Sequence, residues 1–143
     1  MDHVAIMKKS WGLIPKVLDR SKKIESRWSI NRISPYDKVK TGDRVFFKNA
    51  GEFITAVAKV GRVEQFSNLD PSKVYALIKK YGGVDGINVA SSDQTYQWAK
   101  NKRYCVLIYL KDSQKVKPFK INKAGFGSAA AWLVVGNIQN VKI

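Results

Sequence analysis

The sequence predicts an α+β domain, mostly β: a small β-barrel with two or three flanking helices. Three observations lead there. About six or seven short segments are rich in β-branched and aromatic residues and are separated by Gly, Pro, Asn and Asp breakers. Helical spacing of apolar residues appears in only two or three places. Strands and helices do not alternate regularly, which disfavours a βαβ sheet and favours a barrel decorated by helices. The 143 residues fit one domain, residues 1–143, long enough to bury a substantial core.

In chain order, Val4 to Met7 reads as a short strand. Ser10 stands as the cap of a helix running to about Leu18, with Trp11, Ile14 and Leu18 on one stripe. Pro15 falls in its first turns, where a missing amide is tolerated. Lys23 to Trp28 is a strand, and Asn31 to Asp43 is rich in turn residues. Arg44 to Lys48 is a strand, Asn49-Ala50-Gly51 a hairpin turn, and Phe53 to Phe66 a long strand bent at Gly61. Asp70-Pro71 opens a helix whose apolar residues are Val74, Leu77, Ile78 and Tyr81, and Gly82-Gly83 ends it. Gly82 to Asn88 lacks the order of a phosphate-binding P-loop and reads as a connector. A short helix covers Asp93 to Lys100. Tyr104 to Leu110 is apolar on both faces, as a central strand covered on both sides would be. Lys120 to Gly127 is a basic, glycine-containing loop, and Ala131 to Val135 and Ile138 to Ile143 close the chain as strands.

Charge is the strong bulk signal. Twenty-six Lys and Arg against eleven Asp and Glu leave +15. Such a surplus favours a polyanionic partner, RNA or DNA being the usual one. A membrane partner is not expected, because no apolar run approaches a span and no long basic amphipathic helix is visible. Cys105 is the only cysteine and His3 the only histidine, which excludes an internal disulfide and disfavours a cysteine zinc cluster or a histidine triad. No metal or cofactor is expected. Cys105 lies in an apolar run and reads as a core residue. The N-terminal residues lack the apolar stretch of a secretion signal, so a cytoplasmic location is the expectation.

The most distinctive local pattern is Arg20-Ser21-Lys22-Lys23-Ile24-Glu25-Ser26-Arg27-Trp28. In extended backbone Glu25 and Arg27 point to one face, and Ile24 and Trp28 to the other. A carboxylate beside a guanidinium is either an ion pair pinning the turn or the polar floor of a pocket. The pattern Lys22-x-x-Glu25-x-Arg27 follows a helix and precedes a Lys40-Thr-Gly-Asp43 turn and the strand Arg44-Val-Phe-Phe-Lys48. This order resembles the ASCH domain family, whose signature is G-x-K-x-x-E-x-R, within the PUA-like superfold. Arg20 stands where the family usually has glycine, a residue suited to a tight or left-handed turn.

The resemblance implies a cleft between the barrel and the helix before the motif, and a role in binding RNA or modified nucleosides. Some similar proteins are amidohydrolases that deacetylate N4-acetylcytidine, and some are ribonucleases. In the amidohydrolases the lysine of the motif is followed by a threonine where this chain has Glu25, so the lysine carries over to Lys22 and the threonine does not. Lys22 would act as a base only with its pKa far below the usual value, roughly 10.4. A nearby Glu25 opposes that shift. The trio therefore reads as a recognition site: Lys22 and Arg27 meet a phosphate or a base edge, and Glu25 accepts from an exocyclic amine or orients Arg27. A ribonuclease is less supported, for the chain lacks the two-histidine arrangement and an acidic cluster for a metal.

Around the trio, Trp11 beside Ser10 is placed to stack on a base, with Lys8 and Lys9 as the cleft rim. Lys48 and Asn49 end a strand at a hairpin, where Asn49 either reads a base edge or serves the turn. Arg32 and Tyr36 lie in the loop after the motif strand and are placed to close over a ligand. Lys100, Lys102 and Arg103, and Lys115, Lys117, Lys120 and Lys123, form two basic clusters suited to phosphate tracking. Trp28, Trp98 and Trp132 read as core.

Overall fold

The structure, a computed structural model, describes residues 1–83 and 91–143. Six strands form one curled sheet in the order β2-β5-β4-β3-β1-β6. They are β1 (Asp2–Met7), β2 (Ile24–Ser29), β3 (Arg44–Asn49), β4 (Ile54–Phe66), β5 (Tyr104–Phe119) and β6 (Trp132–Gly136). The sheet is an open half-barrel, with β2 and β6 as its two edges. Among the described residues only β1 and β3 run parallel, with Val4 beside Phe46 and Ile6 beside Lys48. Helices α1 (Leu13–Leu18), α2 (Pro71–Tyr81) and α3 (Ser92–Ala99) flank it.

Alternation along the strands explains where the core sits. Val106 and Ile108 join Ala5, Phe47 and Leu13 of α1 in one cluster on the inner face. Cys105 and Leu107 point outward to α2 and α3. The outer residues Val4 and Phe46 pack instead with Leu133 and Ile138. One continuous cluster inside and two separate ones outside is what a curled sheet produces. The curl is built into β4 and β5, whose pairing shifts register at three places, one of them at Gly61. A Cβ at Gly61 would stand 3.3 Å from the Lys111 side chain.

Several elements differ from expectation. The helix expected from Ser10 is broken at Gly12, which sits at φ 60°, ψ 37°, between a 3-10 turn (Lys9–Trp11) and α1. Ser10 lies inside that turn and caps nothing. Nothing within 4 Å would meet an added Cβ at Gly12, so only the left-handed backbone opposes a side chain there. Gly12→Ala is expected to lower unfolding free energy by about 1 kcal/mol, read by urea denaturation. The strand expected over Ile138 to Ile143 is a 3-10 turn (Ile138–Asn140), joined to the basic loop by one bridge between Ile121 and Lys142. Strand β5 runs nine residues beyond Leu110, because its basic second half still pairs with β4. Helices α2 and α3 begin on side-chain caps from Asp70 and Ser91, the latter a reciprocal box with Gln94. The connector expected over Gly82 to Asn88 lies, beyond Gly83, outside the described residues. No helix among the described residues is long and apolar enough to cross a membrane.

The N-terminal strand is anchored by two buried carboxylates. Asp2 accepts two bonds of 2.9 Å from Arg44 and one of 2.8 Å from the Ile138 amide. Asp43 accepts from His3 at 2.7 Å and from the Lys40 amide at 2.9 Å. For each, burial favours the neutral acid but is outweighed, by Arg44 at Asp2 and by His3 and the Lys40 amide at Asp43, so both pKa values lie below the usual range. Such groups contribute stability above the unfolded pKa, about 3.9, and lose it as pH falls through the folded value. The melting temperature is expected to begin falling near pH ~4 on acidification. Asp2→Asn should flatten that acid limb, as followed by circular dichroism.

Candidate functional site at the opening of the half-barrel

A cavity of about 400 Å³ opens where β2 faces the β1 side of the sheet. Its walls include three indoles, Trp11, Trp28 and Trp98, with Met7 and Leu13 beneath. Trp11 and Trp98 meet edge to face, ring centroids 6.1 Å apart at 86°. The Lys8 ammonium lies 5.6 Å from the Trp11 ring and that of Lys102 lies 5.2 Å from the Trp98 ring. The rim is therefore cationic and the walls apolar.

The polar floor comes from β2. Glu25 and Arg27 share the inner face, and both line the cavity. Glu25 is 4% exposed. Its Oε1 stands 3.8 Å from Arg27 Nε, too far for a hydrogen bond. Glu25 Oε2 and Arg27 Nε are both buried without a hydrogen-bond partner among the described residues. A buried acceptor left unmade costs about 1–3 kcal/mol, more when charged, so this oxygen asks for a donor.

Arg27 spans the opening. It donates to Ala131 O at 3.2 Å and Ile6 O at 3.5 Å, and contacts Met7 Sδ at 3.2 Å. Its guanidinium also lies 5.2 Å from the Trp132 ring. Trp132 in turn donates to His3 Nδ1 at 3.1 Å. An indole only donates, so His3 carries its hydrogen on Nε2 and gives it to Asp43. The strut from β2 to the far edge thus rests on a buried Trp–His–Asp chain. Burial pulls the Arg27 pKa down, and Glu25 partly offsets this; the side chain stays cationic.

Backbone groups add to the floor. Leu110 N–H bonds Lys23 O, and Arg103 N–H bonds Ser29 O. Antiparallel alternation then turns the N–H and C=O of Ser26 and Trp28 toward the free edge of β2, and both residues line the cavity.

The other sequence-proposed residues lie elsewhere. Lys22 is 5% exposed, donates from Nζ to Ile24 O at 2.8 Å, and is not on the cavity wall. Ser10 is exposed, and Lys9 is held by Glu52 at 2.8 Å. Arg32 pairs with Asp37 and stacks over Tyr36, away from the cavity. Lys48 is 9% exposed; burial and the neighbouring Lys123 charge both lower its pKa. Asn49 donates to Glu52 at 2.9 Å, and its own buried Oδ1 has no hydrogen-bond partner among the described residues, one residue before Ala50 on the cavity wall.

Trp98 is not core: it is 44% exposed. The buried stripe of α3 runs through Thr95 and Ala99, which leaves the indole on the helix shoulder facing Trp11. That small-residue stripe was the available signal. Trp28 packs in the outer core, as expected, and also forms part of the cavity wall. Burial raises the pKa of the Cys105 thiol, an inert core group.

A curled, mostly β sheet flanked by three helices, with Glu25 and Arg27 on the strand at its open edge, makes an α+β half-barrel. Solved structures agree. The crystal structure of ASCH from Zymomonas mobilis aligns with 97% of this chain and 92% of its own, at TM-score 0.67 and 15% identity. A single-substitution variant of that protein aligns over 92% and 87%, at TM-score 0.65 and 14% identity. The chain has the ASCH-like fold. No family model and no curated protein matches the sequence.

Proposed function

We propose that the protein is an RNA-binding module that holds one unpaired base in the cavity at the β2 edge. The observation that carries this is Glu25 Oε2, a buried acceptor without a hydrogen-bond partner among the described residues, in a pocket walled by three indoles. Indoles accept the π-face of any base, whereas the carboxylate selects a base that presents an N–H, as the cytosine exocyclic amine does. The free-edge amides and carbonyls of Ser26 and Trp28 supply further partners. Lys8 and Lys102 at the rim, within a net charge of +15, attract the phosphates.

A hydrolase acting through Lys22 has less support. It needs that ammonium at the cavity wall, and the group is engaged with the Ile24 carbonyl. Titration of single-stranded RNA, followed by tryptophan fluorescence at several salt concentrations, tests the binding reading. Saturable quenching that weakens as salt rises is expected. Unchanged fluorescence with no binding at low salt would refute it.

A further inference from the structure

A second cavity, of about 420 Å³, lies on the other side of Arg27. It shares Arg27, Trp28 and Ala131 with the first, so these residues form the wall between the two. Its other walls include Ile33 to Pro35 of the loop after β2, Val106 of β5, Trp132 of β6, and Phe126 and the Ala129–Ala130 segment before β6. No carboxylate is among its lining residues. Lys123 Nζ stands 3.5 Å from the carbonyl of Ala130 on its wall. Beside Lys123, the Lys48 ammonium has no acidic partner among the described residues. Arg27 in the dividing wall is tied to the Ala131 carbonyl and seated on Trp132; its Nε, 3.8 Å from Glu25 Oε1, has no hydrogen-bond partner among the described residues.

We propose that the site takes two consecutive nucleotides of a single RNA strand, one base in each cavity, with the phosphodiester between them against Arg27. This rests on the base-binding reading of the first cavity. Charge decides the occupant of the second. An apolar slot alone would suit many ligands, but this one has Lys123 beside its Ala130 wall and shares an arginine with a neighbour whose rim is cationic. A chain with a negative charge between two flat apolar groups matches that sequence of slot, cation, slot.

The test compares 5′-mononucleotides with dinucleotides and tetranucleotides by fluorescence titration at fixed low salt. Two variants address the second cavity alone: Ala129→Trp fills it from an exposed loop position, and Ile33→Asp, at a residue 59% exposed, puts a negative charge on its wall. For the unmodified protein a dinucleotide should bind about tenfold or more tighter than a mononucleotide, the gain from a second stacked base. Each variant should remove that gain and leave mononucleotide affinity unchanged. Equal affinity for the two lengths, or a loss in the variants that falls equally on both, overturns the two-nucleotide register while leaving the first cavity standing. Binding of neither length overturns the base-pocket reading and this inference together.

Discussion

Arg27→Ala is expected to lower the free energy of unfolding by about 3 kcal/mol and to abolish nucleotide binding. The size follows from what is left behind. Glu25 stays buried with the Arg27 cation gone, the Ile6 carbonyl loses its contact with the guanidinium, and the Ala131 carbonyl is left with the Ile6 amide alone. The value sits at the low end for a broken buried pair because the carboxylate and guanidinium are 3.8 Å apart and not hydrogen-bonded. The half-barrel also loses a side chain that reaches from β2 to Ala131 and Trp132 at the far edge. Urea denaturation reads the stability, and Arg27→Lys separates charge from geometry. A lysine keeps the charge but cannot reach two carbonyls as a planar fork does, so it should recover less than half of the loss. Recovery to full stability would mean that charge alone holds the opening closed.

Glu25→Met is the second large effect, and it should fall on binding instead of folding. The substitution keeps volume and removes the acceptor. Loss of a hydrogen bond to a charged group, ~1.5–3 kcal/mol, corresponds to roughly 10- to 150-fold weaker binding of a base that donates to it. Unfolding free energy should change by less than about 1 kcal/mol, because Arg27 keeps its carbonyl contacts and a buried unpaired oxygen disappears. Isothermal titration with cytidine monophosphate and thermal unfolding on the same samples give both numbers. A variant that binds as tightly as the unmodified protein would remove Glu25 from the site.

Much of the fold was legible because local chemistry and tertiary structure agree. Asp70-Pro71 starts α2 as a capped, proline-led helix should. The Lys40-Thr-Gly-Asp turn closes with the Asp43 amide on Lys40 O at 3.0 Å and Gly42 at φ 93°. Arg20 is informative for the opposite reason. It stands where the resemblance wants glycine, and it does adopt a left-handed φ of 66°. Arg20 adopts it while donating to Ser113 O on β5 at 3.2 Å, a contact glycine could not make.

The failures have equally local causes. Periodicity joined residues 10–18 into one helix because the break at Gly12 leaves the apolar spacing intact on both sides. The C-terminal segment has strand composition but pairs through a single bridge, since the sheet ends at β6. At the site, period-two parity correctly put Glu25 and Arg27 on one face. It had no access to Lys22, whose side chain folds back on the next strand's first carbonyl. Nor did it reach Trp98, Met7 and Ala131, which meet β2 only through the curl of the sheet.

The most direct measurement is a crystal structure with cytidine monophosphate bound. The ring should lie in the cavity bounded by Trp11, Trp28 and Trp98, with its exocyclic amine within hydrogen-bond distance of Glu25 Oε2. A nucleotide found on the Lys115–Lys117 face of β5, with the indole cavity empty, would contradict the account.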